Sequence, residues 1–377
     1  VLHKKALHHL NEAIRVNPGS AMIYTNQGIV FLQIGDYQSA EKSLRTALAI
    51  DETLYQTHFN LAIVLQQTGQ REESLQHLHS TLNIDPYFVP ALLRAAQIQK
   101  QSGDLVSAEF NVRKALGLQP ENIDALYLLA NILAQSEQVE KTIEVYQQLL
   151  KLNPDDKSAA YVLNILHEEI PGSPPRIHFE NIFNEMADDF DHHLQGLGYQ
   201  APGQLFSLLQ KTENNKTRFN RLLDIGCGTG AVGQLFHDQV DYLMGIDIAD
   251  KMLGHCQQTG LYHDLACSDI FELDAVSKDF DLVVAADVFP YLGELNPIIQ
   301  AIGQRMTSGG FLLFTTERGE TADGYYVDKL SGRYRFSDDY LTQVAQQQQF
   351  KIIQMQTERL RKEKNEWISG HFCMWQK

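Results

Sequence analysis

Proline stands at positions 86, 120 and 154, so the same step of 34 residues occurs twice. That step also links Gly35, Gly69 and Gly103, and next reaches Glu137. It links Ala6, Ala40, Ser74, Ala108 and Thr142, and separately Gly28, Ala62, Ala96 and Ala130. A period this long belongs to a repeated helix–turn–helix unit rather than to one helix or strand. Small residues fall where two helices must approach closely, glycine at the turn between them, and proline before the next helix. The full units run 21–54, 55–88, 89–122 and 123–156. Residues 1–20 match only the second helix of a unit, with Ala6, Ala13 and Pro18 in phase, so the chain reads as beginning inside a repeat. Residues 157–169 read as a capping helix, with Tyr161, Leu163 and Leu166 apolar and Ile170 just beyond.

This pattern resembles the tetratricopeptide repeat. The resemblance implies an α-solenoid, residues 1–169 with the cap, whose concave face holds a protein or peptide partner. The best-known ligand mode of that family clamps a carboxylate with Lys and Asn. The matching positions of the first full unit are Thr25 and Ile29, so that clamp is absent. Gln33, Gln67, Gln101 and Gln135 recur at one position, either as a polar ladder for a peptide or as a solvated inner surface.

The run Ile170-Pro171-Gly172-Ser173-Pro174-Pro175 cannot continue a helix. Residues 170–178 therefore read as a linker, and a chain of 377 residues has room for a second core. In 179–215 the spacing of Phe179, Ile182, Phe183, Met186 and Phe190 is helical, with a second helix near Gln204–Leu209. We read this segment as a lid. Phe183 and Phe190 form its apolar side, and we read His192 and His193 as its polar face rather than as a base.

From 216 to 377 short apolar runs alternate with helical stretches, which argues a parallel, doubly wound α/β sheet. The first four runs are Leu222–Ile225, Tyr242–Ile246, Asp281–Ala286 and Gly310–Phe314; Lys351–Gln356 and His371–Trp375 add an antiparallel edge. The loop after the first run is Asp224-Ile225-Gly226-Cys227-Gly228-Thr229-Gly230. Glycine there lets a cofactor approach the backbone and permits a left-handed turn. The next helix offers free N–H groups to an anion. Asp247, at the end of the second run, is placed to accept both hydroxyls of a ribose. Gly226, Gly228, Ala231 and Asp247 also fit a dinucleotide fingerprint. Against a nicotinamide stand Asp224 two residues before the first glycine, Asp269-Ile270 after a third strand, and Phe280-Asp281-Leu282-Val283 opening the fourth.

These features resemble class I methyltransferases that use S-adenosylmethionine. More narrowly, residues 176–377 resemble predicted bacterial methyltransferases that carry tetratricopeptide repeats. The matching elements are Phe190-Asp191-His192-His193-Leu194, Ala286-Asp287-Val288 with Tyr291-Leu292-Gly293, and Gly332-Arg333-Tyr334. The fold so implied is a multidomain α plus α/β chain: an N-terminal solenoid and a C-terminal Rossmann-like methyltransferase. The resemblance also implies that Asp224, Gly226, Gly228 and Gly230 line the methionine end of the cofactor, with Cys227 among the cofactor-binding residues. Asp247 would take the ribose. Ile248 and Met252 would pack on adenine, with Asp269 and Ile270 at its edge. Asp287 would stand beside the transferable methyl.

On the acceptor side we expect Asp287, Tyr291, Glu317, Arg333, Tyr334 and His371. Glu317 follows the fifth strand and should face the pocket rim. Arg333 suits a carboxylate or phosphate, or else pairs with Asp338 or Asp339. His371 is otherwise a satisfied strand residue. The net charge of −16 lacks the basic footprint that a phosphate backbone requires, so nucleic acid is not the expected acceptor. The cluster Arg359, Arg361, Lys362 and Lys364 alternates with Glu358, Glu363 and Glu366 and reads as a solvated face. Asp287-Val288-Phe289-Pro290-Tyr291 only loosely echoes the amino-methylation motif of DNA enzymes. A Pro-Cys nucleophile and the paired-glutamate loop of arginine methyltransferases are not evident. No Cys/His spacing makes a metal site, and the four cysteines read as reduced thiols of a cytoplasmic protein. Lacking a membrane-length apolar run, the chain is not expected to sit in a membrane. Three functions stay open: methylation of a small molecule or metabolite, methylation of a protein or carrier-bound substrate recruited by the repeats, and a cofactor-binding scaffold without catalysis. The product of either enzyme is S-adenosylhomocysteine.

Overall fold

The computed structural model describes residues 2–167, 169, 174–212, 218–273, 276, 279–320, 324–329, 331–363 and 366–377. Ile170, the Pro171–Ser173 part of the expected linker, positions 213–215 of the expected lid and Lys364 lie outside the described residues. The chain divides into two compact units, Val1–Pro154 and Asp155–Lys377.

The first unit is helical: α1 (Leu2–Val16), α2 (Ala21–Gln33), α3 (Tyr37–Ile50), α4 (Tyr55–Gln67), α5 (Arg71–Ile84), α6 (Val89–Gln101), α7 (Leu105–Leu118), α8 (Ile123–Gln135) and α9 (Val139–Leu152). The periodic residues divide by physical cause. Gly35, Gly69 and Gly103 close the helix pairs at φ of 78°, 79° and 83°. An added Cβ there meets nothing within 4 Å, so backbone geometry alone asks for glycine. Gly28 is demanded by space instead, since its Cβ would stand 2.5 Å from Leu44 Cγ. Gly69→Ala should therefore destabilise the array by about 1 kcal/mol through the left-handed turn alone. Urea unfolding followed by helical circular dichroism measures this, and an unchanged midpoint would contradict it. Thr25 turns into the packing, its hydroxyl 2.8 Å from that of Thr57. Gln33, Gln67, Gln101 and Gln135 all end their helices exposed.

The second unit begins with α10 (Lys157–Leu166), expected from sequence as the cap of the array. Then come α11 (Arg176–Met186), α12 (Phe190–Gly196) and α13 (Ala201–Thr212). The rest is a sheet with helices: β1 (Phe219–Ile225), α14 (Ala231–Phe236), β2 (Val240–Asp247), α15 (Asp250–Gln258), β3 (Asp264–Cys267), β4 (Phe280–Ala285), α16 (Asn296–Arg305) and β5 (Met306–Arg318). It continues with β6 (Tyr325–Val327), β7 (Tyr334–Phe336), α17 (Asp338–Gln347), β8 (Lys351–Glu363) and β9 (Glu366–Gln376). The strands run β3-β2-β1-β4-β5 in parallel. Antiparallel β9 follows beside β5 and carries β8 on its other side. Both faces of the sheet are buried, as a parallel sheet requires. Leu223, Ile225 and Val283 join one core, Leu222, Leu282 and Val284 the other. The strand order reverses between β1 and β4, and ligands of open α/β sheets bind in the crevice at that point.

Candidate functional site

At the carboxyl end of β1 the chain turns through Gly226, Gly228 and Gly230, with φ of 67°, 52° and 99°. Gly226 N–H donates to Ile246 O at 2.8 Å, holding the loop against β2. A Cβ on Gly226 would meet Val288 Cγ2 at 2.5 Å. Cys227 is buried within the loop.

Asp224 is fully buried beside this loop. Its Oδ2 accepts from the Tyr262 hydroxyl at 2.6 Å. Its Oδ1 has no hydrogen-bond partner among the described residues. Burial pushes the carboxyl up to about 7, against the pull of Tyr262, and Asp247 adds to the rise. A buried acceptor left bare is costly unless a ligand completes it, and a cationic amine is the fitting partner.

Asp247 ends β2. Its Oδ2 accepts from Gly228 N–H at 2.8 Å and its Oδ1 from Ala249 N–H at 2.9 Å. Each oxygen keeps lone pairs for a further donor, which suits a vicinal diol. Burial raises this carboxyl while those N–H groups work against the rise. The helix after the loop departs from expectation: α14 has six residues, and Gly233 N–H is already taken by the Tyr262 hydroxyl at 3.0 Å.

Ile248 and Met252 form one apolar cluster with Phe183, Ala187, Phe190 and Ala249. Ile270 is buried nearby in sequence, and Asp269 accepts from Phe271 N–H at 3.0 Å within its own turn. The segment read as a lid is tied down by polar contacts. Thr229 Oγ1 donates to Asp191 at 2.6 Å, and Lys251 N–H donates to Asn184 Oδ1 at 3.0 Å. The exposed His193 is held below the ordinary imidazole value, by loss of water first and then by Arg333 and Arg361.

Asp287 follows β4 in the left-handed region, at φ of 59°. Its N–H donates to Thr315 Oγ1 at 2.8 Å. Its carboxylate receives Arg361 Nη1 at 2.8 and 3.0 Å. Arg361 Nη2 donates to Glu317. The reading of Arg361 as part of a solvated face is thus corrected, for it is 1% exposed on β8. Burial works against its charge, but Asp287 and Glu317 outweigh that and hold it more firmly protonated than usual. Glu317 is also corrected: it lies inside β5 rather than after it, because β9 pairs with β5 as far as Glu317 and Gly370. It is fully buried rather than at the rim.

Arg333 lies 3.7 Å from Glu317 and stacks over the Tyr291 ring at 5.5 Å, not against Asp338 or Asp339. Phe179 and Phe183 meet the same Tyr291 ring edge-on, at 5.3 Å each. One group is therefore assembled: Asp287, Tyr291, Glu317 and Arg333, with Arg361 at its centre. Tyr334 and His371 sit elsewhere. Tyr334 is buried in the core and its hydroxyl accepts from Tyr161 at 3.3 Å. His371 is buried between Thr316 Oγ1 at 2.8 Å and Asp338 at 2.9 Å, the arrangement of a satisfied strand residue. Arg361 was misread in sequence and Tyr262 went unnoticed. One sat in a run of alternating charge, and the other belonged to no spacing pattern.

Residues 223–312 match a family model described as a methyltransferase domain. Residues 3–54 and 100–164 match models described as tetratricopeptide repeats. The malonyl-[acyl-carrier protein] O-methyltransferase of Paenibacillus sp. is 26% identical over 152 residues, 38% of this chain and 55% of that one. The ubiquinone biosynthesis O-methyltransferase of Idiomarina loihiensis is 26% identical over 101 residues, 26% of this chain and 42% of that one. The chain spans about half the length of the curated relatives it matches. The solved N-methyltransferase NodS of Bradyrhizobium japonicum, in complex with S-adenosyl-L-homocysteine, is 20% identical with a TM-score of 0.38, covering 47% of this chain and 85% of that one.

Proposed function

We propose that this chain, which carries tetratricopeptide repeats and a class I methyltransferase domain, transfers a methyl group from S-adenosylmethionine to an oxygen of a small acidic metabolite. The observation that carries the reading is Asp224: a buried carboxylate with one bare oxygen, beside three left-handed glycines, inside the segment that matches the methyltransferase domain. When bound, the cofactor supplies a methyl group already made electrophilic by its sulfonium. Asp224 Oδ1 holds the ammonium and Asp247 the ribose hydroxyls. Ile248 and Met252 take the adenine, with Asp269 and Ile270 at its edge. Phe183 and Phe190 exclude water. Asp287 and Tyr291 border the acceptor. Among the described residues the Arg333 guanidinium makes no closer ion pair than the 3.7 Å to Glu317, which leaves its donors to grip an acceptor carboxylate. A carboxylate oxygen is already a nucleophile, and its methylation needs alignment more than a base.

A second reading is an acceptor carried on a protein. It is favoured by several relatives named malonyl-[acyl-carrier protein] O-methyltransferase, and by repeats suited to a protein or peptide partner on their concave face. Among the described residues no helix is long and apolar enough to cross a membrane. We place the chain in the cytoplasm, in keeping with four free thiols.

The full chain should be given a methyl-labelled donor with free dicarboxylic acids, and in parallel with the same acyl groups on a carrier protein. Label on the free acids supports the first reading. Label on the carrier-bound acids alone moves the assignment to the second. S-adenosylhomocysteine binding without label in any acid argues for a cofactor-binding scaffold.

A further inference from the structure

Tyr262 makes contacts that the cofactor loop does not account for. It lies between α15 and β3, and its hydroxyl bridges two elements. It donates to Asp224 Oδ2 at 2.6 Å and accepts from Gly233 N–H at 3.0 Å. Its ring fills the space left by three glycines from three elements. A Cβ on Gly233 would meet the ring at 2.5 Å, one on Gly245 of β2 at 2.9 Å, and one on Gly230 at 3.4 Å. Cores of this density fix a side chain in one place. The hydroxyl therefore cannot follow Asp224 if the carboxylate rotates, and the carboxylate is pinned through Oδ2.

We propose that Tyr262 is a positioning residue for the cofactor: its hydroxyl holds Asp224 in the orientation that leaves Oδ1 free for the ammonium of the methionine end. This rests on the cofactor reading above. The hydrogen bond favours the ionised carboxylate, and burial opposes it. The other titratable groups that bear on this pair are Asp247, Cys227, Cys256 and Tyr199. None of them is a cation, so Tyr262 is the group that favours the charged form. Loss of the hydroxyl shifts the carboxyl further up.

The test is calorimetric binding of two probes to the full chain between pH 5.5 and 8.5. S-adenosylhomocysteine carries the ammonium. 5′-Methylthioadenosine keeps the adenine, ribose and thioether but lacks the methionine end. For the unaltered chain, S-adenosylhomocysteine affinity should fall as pH drops through about 7, where Asp224 takes up a proton, and methylthioadenosine affinity should stay level. Tyr262→Phe keeps the ring and its packing. It should weaken S-adenosylhomocysteine about tenfold at pH 7, the worth of a hydrogen bond to a charged group. It should also move the fall to higher pH and leave methylthioadenosine unchanged. Equal weakening of both probes at every pH would reduce Tyr262 to a packing residue and overturn the proposal. Should the Phe variant not fold, Asp224→Asn serves: the proposal requires its S-adenosylhomocysteine affinity to be low and level with pH, and a retained pH dependence overturns it. If the unaltered chain binds neither probe, the cofactor reading itself fails. If it binds both and Tyr262→Phe matches it throughout, only the role of Tyr262 fails.

Discussion

Arg361→Met should lower the stability of the second unit by about 3–5 kcal/mol, the cost of leaving buried charges without their partner. Arg361 is 1% exposed and spans Asp287, just after β4, and Glu317, inside β5. Methionine fills much of the same volume, so the lost charge dominates the effect. The pH dependence has a definite sign. Burial already holds the Glu317 carboxyl above its ordinary value, and the Arg361 guanidinium is the strongest group pulling it back. Without Arg361 it rises further. An acid whose folded value is raised binds more protons folded than unfolded, from the ordinary carboxylate value up to the folded one, so stability falls as pH rises through that window. The loss should be larger at pH 8 than at pH 5 in urea unfolding. A loss below 1 kcal/mol, or an equal loss at both values, would refute this account of the cluster. Arg361→Lys should recover part of the loss, since an ammonium keeps the charge but not the fork that reaches both acids.

Asp247→Ala should weaken S-adenosylhomocysteine binding by about a hundredfold, from two hydroxyl bonds to a carboxylate. Part of the loss comes from the loop, because Gly228 N–H and Ala249 N–H both donate to this side chain. Asp247→Asn keeps one acceptor and should fall between. In contrast to Tyr262→Phe, Asp247→Ala should weaken 5′-methylthioadenosine as strongly, since that probe keeps the ribose. Unchanged affinity for either probe in calorimetry would sink the ribose assignment.

The two halves of the chain were legible in sequence for different reasons. The 34-residue step is written by local needs: a left-handed turn at Gly35, Gly69 and Gly103, and close helix contact at Gly28. Such needs act within one repeat and so leave a period. The alternation of apolar runs with helical stretches likewise marked the parallel sheet and placed Asp224 and Asp247 at strand ends. The antiparallel edge of β8 and β9 was also visible. Its reach along β5 was not, and that reach buried Glu317 within the strand.

The acceptor side divided along the same line. Asp287, Tyr291 and Arg333 come together in space, whereas Tyr334 and His371 are drawn into hydrogen bonds with Tyr161, Thr316 and Asp338. What the sequence determined by itself was periodicity: the repeats, the sheet, the glycine loop and the acids that end its strands. Tertiary structure decided which charges are buried. Arg361 looked like any cation in a run of alternating charge, and only the pairing of β8 with β9, beside β5, carries it in to meet Asp287 and Glu317. Burial of a charge depends on partners 44 and 74 residues away, and no local pattern records a contact at that distance.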